Sequence, residues 1–521
     1  MQQQTLPIFD YIVIILSLIL SIGVGVYFAR RQKTTDKYFK AGSNIPAWAV
    51  GMSILATLIS SVTFLAYPGT GYKSNWILLV QGLMVPVVLV FFIWFIVPLY
   101  RKVIRLSAYE YFERRFGFFS RLYGSVGFIL MHFSKMGTVF FLLTLAISNL
   151  TGVNAFVVLW ILGILVVAIT FLGGIEAVIW LDVIQGFLLI LGGLVSVAII
   201  LFKPVGGPGS VLSAIWESGK VDFGPYDFNF VKLTFIVMAL NGIFYAIQKY
   251  GTDQTIVQRY LTAKSDKAAV KASLMGVLLC VPVWTLFMFI GTGLFAFYKI
   301  TNAALPPDIT AEGVFPHFIL TQIPSGLTGL IISALIAAAV SSLDSDLNCL
   351  SAIGVEDYYI RFKPNSTDQQ RLRMGRILVI VSGLAAMFVA TLYILAGSEG
   401  VLGIVFALYA IFSGGIVGMF LLGLFSKRAN KQGIYFGIAA SVMFTAWAML
   451  TSTKFDIGGQ NKILLDMGNF NFTHHKYMLG VYSHVILFGV GYLASLFFPA
   501  KKVDENLTFY GWLKKRKKGE I

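Results

Sequence analysis

Apolar runs of 18 or more residues recur along the whole chain, separated by short connections in which the polar and basic residues collect. A helix rises about 1.5 Å per residue and a bilayer core is about 30 Å thick, so a run of about 20 apolar residues can cross it. Thirteen runs meet that standard, over 7–29, 46–67, 75–100, 122–148, 154–173, 177–202, 231–255, 271–298, 326–354, 374–396, 400–426, 431–451 and 477–498. The pattern predicts an all-α integral membrane protein with about thirteen transmembrane helices. The longest polar stretches, 203–230 and 299–325, carry Pro and Gly and predict capped connections.

Composition agrees and removes alternatives. The 521 residues are 57% hydrophobic and only 12% charged, with a mean hydropathy of +0.80. A water-facing shell uses about 25% charged residues. The formal net charge of +16 would point to nucleic acid on a soluble protein. Sorted by side of the membrane, the charges mean something else. With the N-terminus outside, 30 of the 40 Lys and Arg fall in cytoplasmic connections and the tail, eight fall outside, and Lys135 and Lys249 remain within runs. That asymmetry orients the chain with its N-terminus out and its C-terminus in, and it excludes nucleic acid as the partner. Residues 7–29 read as an outward-starting anchor and not a signal peptide, because Arg30 and Arg31 follow the apolar run and no basic residue precedes it. The run from Lys514 to Lys518 is a solvated flank that attracts anionic membrane lipid. Cys280 and Cys349 lie in apolar runs and read as packing residues. No phosphate-binding loop and no H-E-x-x-H motif occurs, so ATP-driven transport and enzyme chemistry are not expected.

Polar residues inside the runs are costly and therefore informative, about 2.5 to 3.5 kcal/mol for a charge at a helix centre. They gather in five places: Ser53 to Thr63, His132 with Lys135, Asp182 with Gln185, Gln248 to Asp253, and Ser341 to Asn348. Ser60 and Ser61 lie near the middle of the second run. Hydroxyls there compete for backbone hydrogen bonds, and a broken helix would free carbonyls for a dehydrated Na⁺; a small-residue packing seam is the other reading. Ser341, Asp344 and Ser345 share one helix face and offer oxygen ligands for a hard cation, with Asp182 from another run. Pairing of Asp344 and Asp346 with Lys135 or Lys249 is the structural alternative. Lys249 and Asp253, spaced i, i+4, can satisfy each other. Lys135 has no acid at i±3 or i±4 and needs a carboxylate partner or an anionic ligand.

Those residues bring out a likeness. Asp36-Lys-Tyr-Phe with Pro46-Ala-Trp-Ala, Ala56 to Phe64, Ser107-Ala-Tyr-Glu-Tyr, Gly173 to Gln185, Gln258-Arg259, Ala337 to Asn348 and Leu421-Leu-Gly-Leu-Phe occur in order over residues 8 to 500. In this the chain resembles the sodium:solute symporter family, which includes bacterial sodium/galactose and sodium/sialic acid transporters. The resemblance implies a LeuT-type inverted-repeat fold of 5+5 helices. Residues 1–45 would be an extra N-terminal helix and loop, 46–202 the first repeat, 203–230 an extracellular connection, 231–426 the second repeat, and 427–521 two further helices and a basic tail. It also implies a monomer in the bacterial inner membrane.

By matching motifs, the resemblance assigns a main Na⁺ site to the carbonyls of Ala56, Ile59 and Ala338 and the hydroxyls of Ser341 and Ser342. It assigns a second Na⁺ to Asp182, Ser341, Asp344 and Ser345, with Asp344 standing where the family's sialic acid transporters have serine. The solute would meet Ser60, Ser61, Thr63, Lys135, Gln248 and Lys249; Lys135 stands where those relatives place an arginine. The positions matched to a galactose site are Gly82, Leu278 and Phe406, which lack its polar groups. The expected function is Na⁺-coupled import of a small organic solute by alternating access, with sialic acid, a sugar or another organic anion as cargo. H⁺ coupling through Asp182 or Asp344, a monocarboxylate or amino-acid substrate, and a membrane sensor or channel are the alternatives.

Overall fold

A segment in lipid must satisfy its backbone amides internally, which favours helices wherever the apolar runs are long enough. The computed structural model describes residues 6–104, 106–307, 309–395, 414–457, 460–500 and 502–518. Its main helices begin with α1 (Ile8–Ala29), α2 (Thr35–Lys40), α3 (Ala47–Leu58), α4 (Ser61–Lys73), α5 (Leu79–Pro98), α6 (Glu110–Phe116) and α7 (Phe118–Thr151). They continue with α8 (Ala155–Phe202), α9 (Gly207–Glu217), α10 (Phe235–Gly251), α11 (Gln254–Thr262), α12 (Asp266–Thr301), α13 (Ala311–Gln322) and α14 (Leu327–Ile353). Helices Asp368–Leu395, Ile416–Phe425, Lys431–Ser452 and Lys476–Ser495 follow, with a β-hairpin at Lys454–Ile457 and Gln460–Ile463 before the last of these.

Among the described residues nine helices are long and apolar enough to cross a membrane, and the bent pair α3/α4 makes a tenth. Eleven of the thirteen apolar runs fall on these ten elements, and runs 231–255 and 400–426 do not. Runs 154–173 and 177–202 share the 48-residue α8, which turns at Gly174 (φ 56°, ψ −161°). Only glycine takes that conformation readily, and a Cβ there would lie 2.7 Å from the Tyr38 carbonyl oxygen. Run 231–255 yields the 17-residue α10, which ends before Thr252 and Asp253. Of run 400–426, residues 400–413 and with them Phe406 lie outside the described residues, and Ile416–Phe425 is helical.

Side-chain contacts tie the basic connections together at one end. Arg101 pairs with Asp266 at 2.7 Å, Ser43 Oγ donates to the Leu261 carbonyl at 2.7 Å, and Arg376 donates to that of Gln32 at 3.2 Å. Arg121 and Arg361 pair with Glu113, and Arg115 donates to the carbonyls of Gly423, Ser426 and Ala429. At the opposite end Lys220 donates to the Tyr72 carbonyl at 2.9 Å and Lys203 to that of Gln322 at 2.7 Å.

Helix α14 is the centre: 89% of its most apolar stretch is buried inside the protein, against 17% for α1. One residue of α1 nonetheless reaches that centre. Asp10, fully buried, accepts from the backbone N–H of Gly326 at 2.6 Å and Gly329 at 2.7 Å and from Ser325 Oγ at 3.2 Å. It thereby satisfies orphan donors at the start of α14 from another helix.

Candidate functional site

The second apolar run is broken. Helices α3 and α4 meet at 59°, with Ile59 (φ −96°, ψ 119°) and Ser60 (φ −126°, ψ 179°) both extended. Ser60 Oγ accepts from the Val62 N–H at 3.3 Å and starts α4. The last carbonyls of α3 lose their helical donors at such a break, and α14 faces them. Ser341 Oγ donates to the Ala56 carbonyl at 2.9 Å and lies 3.3 Å from that of Ala338. Ser342 Oγ lies 3.5 Å from the Thr57 carbonyl. All of these residues, and Ile59, are buried. Carbonyl and hydroxyl oxygens therefore converge where the negative end of α3 meets α14, a donor set that suits a dehydrated hard cation.

Next to it lies a buried ionic cluster. Asp182 Oδ2 accepts from Arg259 Nη2 at 2.9 Å and from Ser53 Oγ at 2.5 Å. Arg259 also donates to Ser345 Oγ at 2.7 Å, to Ser53 Oγ at 2.8 Å and to the Thr255 carbonyl at 2.7 Å. Ser345 Oγ in turn donates to the Ser341 carbonyl at 2.7 Å and lies 3.5 Å from Asp344 Oδ1. Asp182, Arg259, Asp344 and Ser345 are all 0% exposed. Asp182 Oδ1 and Asp344 Oδ2 have no hydrogen-bond partner among the described residues. One guanidinium thus meets Asp182 directly and Asp344 through Ser345.

A second cluster lies between α7, α14 and the end of α10. Lys135 Nζ is 3.1 Å from each oxygen of Asp346, and His132 Nδ1 is 2.8 Å from Asp346 Oδ1. His132 Nε2 lies 3.6 Å from Asp253 Oδ2, which Lys249 Nζ meets at 2.7 Å. The Lys135 side chain is 29% exposed, whereas Asp346 and His132 are closed off from solvent.

The expected site residues divide accordingly. Ala56, Ala338, Ser341 and Ser342 come together at the break, and Asp182, Asp344 and Ser345 gather beside them. Ser60 is half-buried next to Val62, which is 36% exposed; Ser61 and Thr63 are buried, and Ser61 Oγ has no hydrogen-bond partner among the described residues. Lys249 pairs with Asp253 and Thr255, and Gln248 lines a small cavity with Tyr109, Phe128 and Asp253. Of the positions matched to a galactose site, Leu278 is 61% exposed on α12 and Gly82 packs against Trp284, so neither lines the break. Arg259 is the residue that sequence reasoning missed. It counts there among cytoplasmic charges, but α11 folds back with all nine of its residues buried.

With that geometry in view, comparison with known proteins is decisive. The model of the sodium:solute symporter family matches residues 38–440. The chain belongs to this family. It is a multi-pass membrane transporter and not an enzyme, and the ion to which a symporter of this family couples solute movement is Na⁺. It is 35% identical over 450 residues to the sodium/sialic acid symporter NanT of Aliivibrio fischeri, covering 86% of this chain and 89% of that one. It is 33% identical to the sodium/sialic acid symporter SiaT of Proteus mirabilis over 447 residues, 85% of this chain and 90% of that one. Among solved structures, a Na⁺-coupled sialic acid symporter in a substrate-bound outward-open state matches with a TM-score of 0.86 at 31% identity, over 95% of this chain and 99% of that one. The fold of this symporter is accordingly of the LeuT type.

Proposed function

We propose that this symporter imports an anionic sugar acid of the sialic acid class, driven by Na⁺. The observation that carries the substrate class is the likeness to two sialic acid symporters over nearly the full length. Lys135, whose side chain is 29% exposed, supports it, as does the N-terminus of α4, whose dipole favours an anion at the break. The main Na⁺ lies among the carbonyls of Ala56, Ile59 and Ala338 and the hydroxyls of Ser341 and Ser342. The second is held by Asp182, Ser341, Asp344 and Ser345. The oxygens of Asp182 and Asp344 that have no hydrogen-bond partner among the described residues support that second cation, because one guanidinium leaves the cluster one positive charge short. Solute contacts fall to Ser60, Ser61, Thr63 and Lys135, with Gln248 and Lys249 shaping the floor of the site.

Energetics favour two cations. A tenfold Na⁺ gradient and a 100 mV potential together supply about 3.7 kcal/mol per Na⁺. A singly charged anion moving with one Na⁺ carries no net charge and forfeits the electrical share. The chain crosses the membrane thirteen times with its N-terminus outside, in two inverted repeats over 46–202 and 231–426, and works as a monomer in the bacterial inner membrane.

Thermal-shift titration tests the substrate class. N-acetylneuraminate should raise the melting temperature in Na⁺ and not in choline, since only a ligand of the folded state stabilises it. Stabilisation by a neutral hexose or a monocarboxylate, with none by N-acetylneuraminate, would overturn the assignment.

A further inference from the structure

Lys135, whose side chain is 29% exposed, is the cation that the proposed function gives to the solute carboxylate, but its charge is already matched by Asp346, at 3.1 Å from both oxygens. Asp346 lies wholly inside the protein, where losing its partner would leave a bare carboxylate away from water. A solute anion could not draw Lys135 away unless Asp346 kept another donor. His132 stands ready to become that donor: its Nδ1 lies 2.8 Å from Asp346 Oδ1 without making a hydrogen bond among the described residues, its ring is fully buried and stacked 3.8 Å from Phe128, and it stays out of reach of a solute. The far side of the ring faces Asp253, which Lys249 and the Thr255 N–H already hold at 2.7 and 2.8 Å.

From this arrangement we infer that Asp346 is a specificity-determining residue for the solute. It acts as an internal carboxylate that holds Lys135 until the solute's own carboxylate takes its place, after which His132 retains it. The inference rests on the anionic-solute reading above and deepens it. A neutral solute cannot make the exchange, because removing Lys135 from Asp346 then gains it no counter-charge. The exchange selects anions by cost to the alternatives as well as by attraction. Asp346 and His132 are positioning residues here, and Lys135 is the group that touches the solute.

The experiment uses the full chain in lipid nanodiscs, with N-acetylneuraminate and its neutral 1-methyl ester as probes and affinities measured calorimetrically at fixed Na⁺. Asp346→Asn removes the internal competitor and should tighten binding of the anion roughly tenfold, as expected for coupled neighbours, while the ester changes less than about twofold. Asp346→Glu should behave like the natural protein. His132→Phe strands Asp346 and should weaken the anion roughly tenfold; His132→Gln, which keeps a donor, should not. The double variant His132→Phe/Asp346→Asn should recover what His132→Phe loses, a rescue that mere loss of packing cannot produce. Na⁺-dependent melting serves as the folding control, and if Asp346→Asn does not fold, the contrast between the Phe and Gln variants at His132 decides. Equal anion affinities for those two, or an Asp346→Asn protein that folds and binds the anion no tighter, would overturn the inference alone. A natural protein that binds the ester or a hexose but not the anion would overturn the substrate reading as well.

Discussion

Asp182 and Arg259, from helices α8 and α11, form an ion pair with an N–O distance of 2.9 Å in which both side chains are fully buried. Arg259 completes the arrangement by donating to Ser53 and Ser345 at once, so that a single guanidinium joins α3, α8, α11 and α14. Removing one partner of such a pair leaves an uncompensated charge and costs about 3–5 kcal/mol. Arg259→Ala should therefore lower the melting temperature sharply. Arg259→Lys should recover only part of the loss, because an ammonium cannot span the same acceptors. Differential scanning fluorimetry of both variants checks this, and an Arg259→Ala protein that melts with the natural one would remove the pair's structural role.

Ser341 and Ser342 supply the hydroxyls opposite the broken end of α3. Ser342→Ala should abolish Na⁺-driven uptake in proteoliposomes while leaving insertion intact; Asp182→Ala should abolish it too, with a lowered melting temperature because it strands the buried Arg259. Unchanged Na⁺ dependence in both variants would sink the assignment of the cation sites.

Asp344 adds a carboxylate to the cluster around Arg259, with one oxygen unpartnered among the described residues. Asp344→Asn keeps the shape and removes the charge, so the cluster balances without a further cation. The number of Na⁺ taken up per solute should fall by about one, with a shallower dependence of uptake on membrane potential, about 2.3 kcal/mol less per 100 mV. Reversal-potential measurements on proteoliposomes read this directly, and an unaltered ratio would mean that the second cation does not depend on Asp344.

Asp10 caps α14 through the N–H groups of Gly326 and Gly329. Asp10→Ala should destabilise by about 1–2 kcal/mol, the range of a lost helix cap, with a further cost from the buried donors left open. Asp10→Asn keeps an acceptor and should cost less. Chemical-denaturant or thermal melts in the same detergent separate the two, and equal stability of Asp10→Ala and the natural protein would contradict the cap.

Gly174 holds α8 at its bend with φ 56°. Gly174→Ala meets both a backbone conformation that costs about 1–3 kcal/mol without glycine and the Tyr38 carbonyl 2.7 Å from the new Cβ. The variant should express poorly or melt several degrees lower. If it proves neutral, the bend is not set at this residue.

Much of this was legible before any coordinates. The break at Ile59 and Ser60 falls where consecutive hydroxyls compete with the helix ladder, and Lys249 with Asp253 follows from i, i+4 spacing. The oxygen-rich face of Ser341, Asp344 and Ser345 was likewise visible in helical periodicity. Arg259 was not, because a basic residue after an apolar run reads as a membrane flank, and only the return of α11 into the core buries it. Asp10 escaped for a similar reason: an acid in the first turn of α1 looks like a cap for its own helix, whereas its acceptors serve α14.

Hydrophobic periodicity and composition were enough to establish a multi-span helical membrane protein and to pick out the polar residues that such a protein would not bury without use. Those are one-dimensional properties, set by the energy of placing each residue type in lipid. Which polar groups meet was decided by the packing of helices far apart in sequence. That packing put Arg259 against Asp182 and shared Asp346 between Lys135 and His132, because a buried charge settles on the partner that the fold brings within hydrogen-bond reach and not on its neighbour along the chain.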